Sequence, residues 1–202
     1  MLHLTGASFE PSRRMKFFKL TGIILLGVLC GTGATLAFRA IASHPEASGV
    51  ASVSPGVPQR LIIPKIGVDA PVLAVGLTKG GDLGVPPDAV HVAWYKNGPE
   101  PGAPGAAVID GHLDTMHAPQ AVFYNLTKLK PGDEVDILAA GGKKIVFQVT
   151  AVKAIAYDAT TTAIFTSTDG SPELNLITCT GDWVPSMHLY NERLVVFTKM
   201  EN

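Results

Sequence analysis

Hydrophobic and polar positions alternate in short runs over most of this chain, with a period of two rather than the three-to-four spacing of an amphipathic helix. The clearest run is Leu174-Asn175-Leu176-Ile177-Thr178-Cys179, where Leu174, Leu176 and Thr178 share one face and Asn175, Ile177 and Cys179 the other. Comparable runs occupy 60–63, 68–77, 90–94, 106–112, 134–139, 144–155 and 193–198. Turn-forming tetrads fall between them, notably Lys79-Gly80-Gly81-Asp82, Lys130-Pro131-Gly132-Asp133 and Ala140-Gly141-Gly142-Lys143. About eight short strands so punctuated predict an all-β domain with short helices, closed as a barrel or stacked as a sandwich. Ala121-Val122-Phe123-Tyr124-Asn125-Leu126 is the segment best suited to a short helix. Thr180-Gly181-Asp182 predicts a break directly after Cys179, which places the thiol at the end of a strand.

The N-terminal quarter has another texture. Leu20 to Phe38 carries no charge, is preceded by Arg13, Arg14, Lys16 and Lys19 and is closely followed only by Arg39. That length and charge asymmetry predict a membrane anchor over 20–41, with 1–19 in the cytoplasm and the remainder outside the cell. A cleaved signal peptide is the rival reading, with Ala40-Ile41-Ala42 as its processing site. Residues 42–59 are rich in Ser, Pro, Ala, Gly and Val without periodicity and read as a tether, leaving 60–202 as the folded domain.

Composition narrows the function. The 202 residues are 47% hydrophobic, enough for one core and not for two large domains, and 21 glycines with 15 prolines suit a loop-rich β fold. A formal net charge of -1 with 16% charged residues provides no basic stripe beyond the extreme N-terminus, so nucleic acid is excluded as a partner.

The chemistry available is sparse. Of the 2 cysteines, Cys30 falls in the expected anchor and Cys179 in the domain, so both are read as unpaired. A lone cysteine is ordinarily a small buried hydrophobe, and only its neighbours can argue otherwise. Of the 6 histidines, His3 and His44 precede the domain and His91, His117 and His188 lie in a strand or in loops, whereas His112 closes the run Val108-Ile109-Asp110-Gly111. Asp114, two residues on, could orient its ring or bond the next turn. Arg193 opens another strand, and its plain alternative is a solvated charge beside Glu192. Thiol, imidazole and guanidinium are the parts that a cysteine nucleophile needs: a proton partner and a fixed donor for charge developing on a carbonyl oxygen. Asp110, His112, Asp114 and His117 are dense enough to raise a metal site, but no Cys-x-x-Cys or His-Glu-x-x-His accompanies them, and no metal or other cofactor is expected. No Gly-x-Ser-x-Gly elbow occurs to support serine catalysis.

Taken together, Thr178-Cys179 at the end of its strand, Gly111-His112 at the end of another and Arg193-Leu194-Val195-Val196 resemble the cysteine, histidine and arginine strands of the sortases, in the same order. The segments Ile63-Pro64-Lys65-Ile66-Gly67-Val68-Asp69-Ala70-Pro71-Val72, Val85-Pro86-Pro87, Trp94-Tyr95 and Leu129-Lys130-Pro131-Gly132-Asp133 are similar to class F members in particular. The tail Thr180-Gly181-Asp182-Trp183 departs from many of them. The resemblance implies an eight-stranded β-barrel tethered to the cell membrane, with Cys179 as nucleophile, His112 as general acid and base, Arg193 as oxyanion clamp and Thr178 as a substrate-binding residue. It implies as partners surface proteins bearing a Leu-Pro-x-Thr-Gly-like sorting signal, and as acceptor the amine of a peptidoglycan precursor or a pilin lysine. A tethered barrel that binds surface peptides without turnover is the alternative from another class. The peptidoglycan L,D-transpeptidases fit less well, because no Ser-His-Gly-Cys segment is present.

Overall fold

The computed structural model describes residues 54–159 and 162–201. The anchor expected at 20–41 and most of the tether lie outside them. Among the described residues no helix is long and apolar enough to cross a membrane.

Eight strands form a closed barrel: β1 (Pro58–Ile63), β2 (Val68–Val75), β3 (Val92–Tyr95), β4 (Gly105–Asp110), β5 (Glu134–Ala139), β6 (Lys144–Ala156), β7 (Pro172–Val184) and β8 (Leu189–Met200). Around the barrel the order is β1-β2-β3-β4-β7-β8-β6-β5, with β5 returning to β1. The β2–β3 and β4–β7 pairs are parallel and the others antiparallel. Closure leaves no long unpaired edge, which settles the choice between barrel and sandwich. β1 starts at Pro58, inside the stretch read as tether, and Gly56 N–H donates to Glu100 at 3.1 Å, so the end of that stretch is docked on the barrel.

Alternation along the strands sorts side chains into two apolar clusters. Leu61, Ile63, Ile137, Phe147, Leu174, Leu176 and Val196 fill the interior together with Phe123, which enters from the β4–β5 connection. Each such side chain contributes roughly 1.5–3 kcal/mol through burial. On the outer face of β4, β7 and β8, Val108, Ile177 and Val195 pack with Leu83 of the β2–β3 loop and Ile164 of a one-turn helix α1 (Thr162–Phe165). Asn175 fixes α1 there by donating to the Ile164 carbonyl at 2.8 Å, and Tyr95 meets Phe165 edge-on at 5.9 Å. This outer cluster is the floor on which the functional cleft is built.

Two sequence expectations are corrected. Ala121–Leu126 is not a helix: residues 122–125 form consecutive turns leading into a short 3-10 segment, Leu126–Lys128. Phe123 is wholly buried, so tertiary packing rather than helical periodicity sets its backbone. Thr180-Gly181-Asp182 does not end the strand, because β7 runs on to Val184 and pairs with β8 as far as Leu189. The register shifts between Thr180 and Trp183, Gly181 adopts φ 78°, and the Asp182 amide donates to the Asn191 side chain at 2.8 Å. These residues make a bulge in a long hairpin, and Gly181 is the residue able to take the left-handed conformation it needs. Cys179 and Arg193 therefore lie within strands rather than at their ends.

Candidate active site

Cys179 and Arg193 are direct partners across the antiparallel β7–β8 ladder, so their side chains leave the sheet on the same face. His112 reaches that face from the next strand over. β4 ends at Asp110, and the Gly111 amide prolongs the β4–β7 ladder by donating to the Ile177 carbonyl at 3.1 Å. The chain then turns, tied by the Phe123 amide to the His112 carbonyl at 3.0 Å. A side chain at residue 111 would meet the Phe123 ring at 2.5 Å, so the approach of this turn to the core depends on glycine. A cavity of about 230 Å³ results, lined by Cys179, His112, Arg193 and Asp110 with Gly111 below and Thr78, Leu83 and Val85 from the β2–β3 loop.

His112 is fixed through Nε2, which lies 2.9 Å from the Pro86 carbonyl. A carbonyl only accepts, so Nε2 carries the proton and Nδ1 is left as the nitrogen whose protonation can change. Arg193 is only 4% exposed, and its Nη1 donates to the Tyr190 and Glu192 carbonyls at 3.0 and 2.9 Å. These bonds orient the guanidinium without neutralising it, because no carboxylate of the described residues lies within ion-pair distance of it. The plain alternative of a solvated surface charge does not describe this arginine.

Burial pushes the Cys179 thiol above its ordinary range, Arg193 draws it down, and Asp110 and Asp114 push it further up. Burial thus favours the neutral thiol, and Arg193 is the side chain whose charge favours the thiolate. Asp110 is itself raised to about 6 by burial, against the pull of His112 and Arg193.

The other expected residues sit elsewhere. Thr178 is 1% exposed and lies on the interior face of β7, opposite Leu194, with its hydroxyl unbonded. Asp114 accepts from the Tyr190 hydroxyl rather than from His112, at 2.5 Å, which raises the phenol to about 12 and ties the β7–β8 hairpin to the segment after β4. His91 bonds Asp88, and the described residues contain no group of three or more side chains suited to a metal. A larger depression of about 370 Å³ near Ile66–Ala70 has neither thiol nor imidazole. Sequence reasoning missed Asp110 as a cleft residue, although its place two before His112 on a period-two strand puts both on one face. It also missed the Pro86 carbonyl, for which a main-chain acceptor leaves no side-chain signal.

A family model described as a sortase domain matches residues 61–201. The chain belongs to the sortase family. Sortases are cysteine transpeptidases, and this barrel, with its thiol, imidazole and guanidinium on one cavity, has their architecture. Among solved structures, the chain is similar to Streptococcus agalactiae sortase C1 in complex with MTSET, at 28% identity and a TM-score of 0.56 over 72% of this chain and 69% of that one. Two more distant matches share the fold: Actinomyces oris sortase C-1, at 23% identity, TM-score 0.55, and 71% and 73% coverage, and a lid mutant of Corynebacterium diphtheriae sortase A, at 22%, 0.56, and 72% and 70%. No curated protein matches the chain.

Proposed function

We propose that this sortase is a membrane-anchored cysteine transpeptidase that cleaves a Leu-Pro-x-Thr-Gly-like sorting signal and passes the acyl half to an amine on the cell surface. The observation that carries this reading is the convergence of Cys179, His112 and Arg193 on one cavity. The Cys179 thiol gives its proton to His112 as its sulfur attacks the carbonyl after the signal's threonine, Arg193 offsets the negative charge on that oxygen, and His112 passes the proton to the departing amine as the C–N bond breaks. A thioester is left on Cys179. An acceptor amine then forms a new C–N bond, the C–S bond breaks, and the sulfur regains a proton. Thr178 takes no side-chain part, since its hydroxyl faces the barrel interior and it does not line the cavity. The segments around Pro64, Pro86 and Pro131 favour class F within the family, and the uncharged run Leu20–Phe38 favours an N-terminal anchor with the catalytic domain outside the cell. Incubating the full-length chain with a sorting peptide and an excess of an amine is expected to give the peptide's acyl half joined to that amine. Hydrolysis-resistant, uncleaved peptide across a panel of sorting motifs would instead favour the binding-module reading.

A further inference from the structure

The carboxylate of Asp110 has no part in the chemistry above, yet it lines the same cavity. It shares the outward face of β4 with Val108 and stands opposite Ile177, two residues before Cys179, in the parallel β4–β7 ladder. With strands about 4.8 Å apart and a rise of about 3.3 Å per residue, its Cα lies roughly 8 Å from that of Cys179, which leaves room for one small group between the two side chains. Nothing among the described residues hydrogen-bonds to this carboxylate, and Arg193 directs its Nη1 to main-chain carbonyls instead.

As a resident of the cleft this carboxylate is costly. Burial disfavours its charge, and that charge opposes thiolate formation at Cys179. A neutral side chain beside Leu83 and Val85 would remove both penalties. A half-buried, unpartnered anion gains most from a cation that arrives with a substrate, and the transpeptidation reading supplies one, because a primary amine reaches the cavity as an ammonium.

We propose that Asp110 docks a primary ammonium against the carbonyl held on Cys179. The inference rests on the transpeptidase reading. On becoming an amide the ammonium loses two protons: one passes through His112 to water, and the other through His112 to the Cys179 sulfur as the C–N bond forms and the C–S bond breaks.

The test compares two nucleophiles on the full-length, peptide-acylated chain: an Nα-acetyl-lysine amide, which is cationic, and methoxyamine, which is uncharged at neutral pH. Asp110→Asn is expected to lower the ratio of their kcat/KM values about tenfold, chiefly through KM for the cationic amine, and Asp110→Glu to restore part of it. Methoxyamine turnover reports folding and thiol chemistry in each variant. A second arm acylates with sorting peptides carrying lysine or norleucine at the variable position; a lysine preference that Asp110→Asn abolishes places the ammonium in the sorting peptide instead of the acceptor. Unchanged ratios in both arms, with a thioester formed, overturn the role of Asp110 alone. Failure of the wild-type chain to form a thioester overturns the transpeptidase reading and this inference with it.

Discussion

Gly111→Ala probes the joint between the barrel core and the candidate base. A methyl group at residue 111 would stand 2.5, 2.7 and 3.0 Å from Phe123 Cδ2, Cε2 and Cγ, whereas carbon atoms rest at about 3.5–4.0 Å. The ring has nowhere to retreat: Phe123 is 0% exposed, its amide is bonded to His112, and its carbonyl accepts from Leu126 at 3.0 Å. The backbone must shift instead, so the cost is that of overpacking a dense core, about 1–3 kcal/mol. At about 2–4 °C per kcal/mol for a chain of this size, thermal unfolding should fall by roughly 2–12 °C. Because the displaced backbone carries His112, and a misplacement of about 1 Å costs on the order of a hundredfold in rate, peptide acylation should fall more than stability explains. Circular dichroism melting and acylation rates measure both. The double variant Gly111→Ala with Phe123→Leu, which trims the ring from the clash, should lose less stability than the two single changes summed. A Gly111→Ala midpoint within about 1 °C of wild type, or strict additivity in the double variant, would refute the reasoning.

Arg193→Ala should lower the acylation rate by roughly a hundredfold or more, since one charge donor to a developing oxyanion is worth about 3 kcal/mol, and it should also slow iodoacetamide alkylation of Cys179 by withdrawing the cation that draws the thiol down. Asp110→Asn should do the reverse to alkylation, speeding it at fixed pH. In the same variant the stability gain should depend on pH. A carboxyl raised from 3.8 to about 6 binds its proton more tightly in the folded chain, so its stabilising contribution is full below the unfolded value and lost as pH rises through 6. The gain on substitution is therefore expected in melts at pH 8, at most about 3 kcal/mol, and not at pH 4. Thr178→Val removes a buried, unbonded hydroxyl and should leave the melting point unchanged or higher while acylation persists; an unfolded variant would show that this hydroxyl has a partner.

Much of this was legible because a strand's period is two. The parity of Leu174, Leu176 and Thr178 against Asn175, Ile177 and Cys179 separates the two faces of β7; the turn around 141 closes the β5–β6 hairpin, and the turn around 131 leads the 3-10 segment into β5. The bulge at Gly181 was read as a strand end, because a glycine flanked by polar residues gives the same signal in both settings and only the partner strand separates them. Phe123 misled for a related reason: an apolar run of six residues says that something is buried, not by what. The pairing of Asp114 with Tyr190 joins residues 76 positions apart, a separation over which sequence spacing carries no information. Asp110 could have been inferred from its parity with His112, but its density with His112, Asp114 and His117 was weighed only as a metal site.

The central claim is that Cys179 becomes acylated by a sorting signal, and intact mass spectrometry of the full-length chain after incubation with a Leu-Pro-x-Thr-Gly peptide tests it most directly. The account predicts a mass gain equal to the peptide's acyl half, reversed by hydroxylamine and absent from Cys179→Ala. A chain that stays unmodified across a panel of sorting peptides, with Cys179 inert to an alkylating probe, would contradict it and make the thiol a structural one.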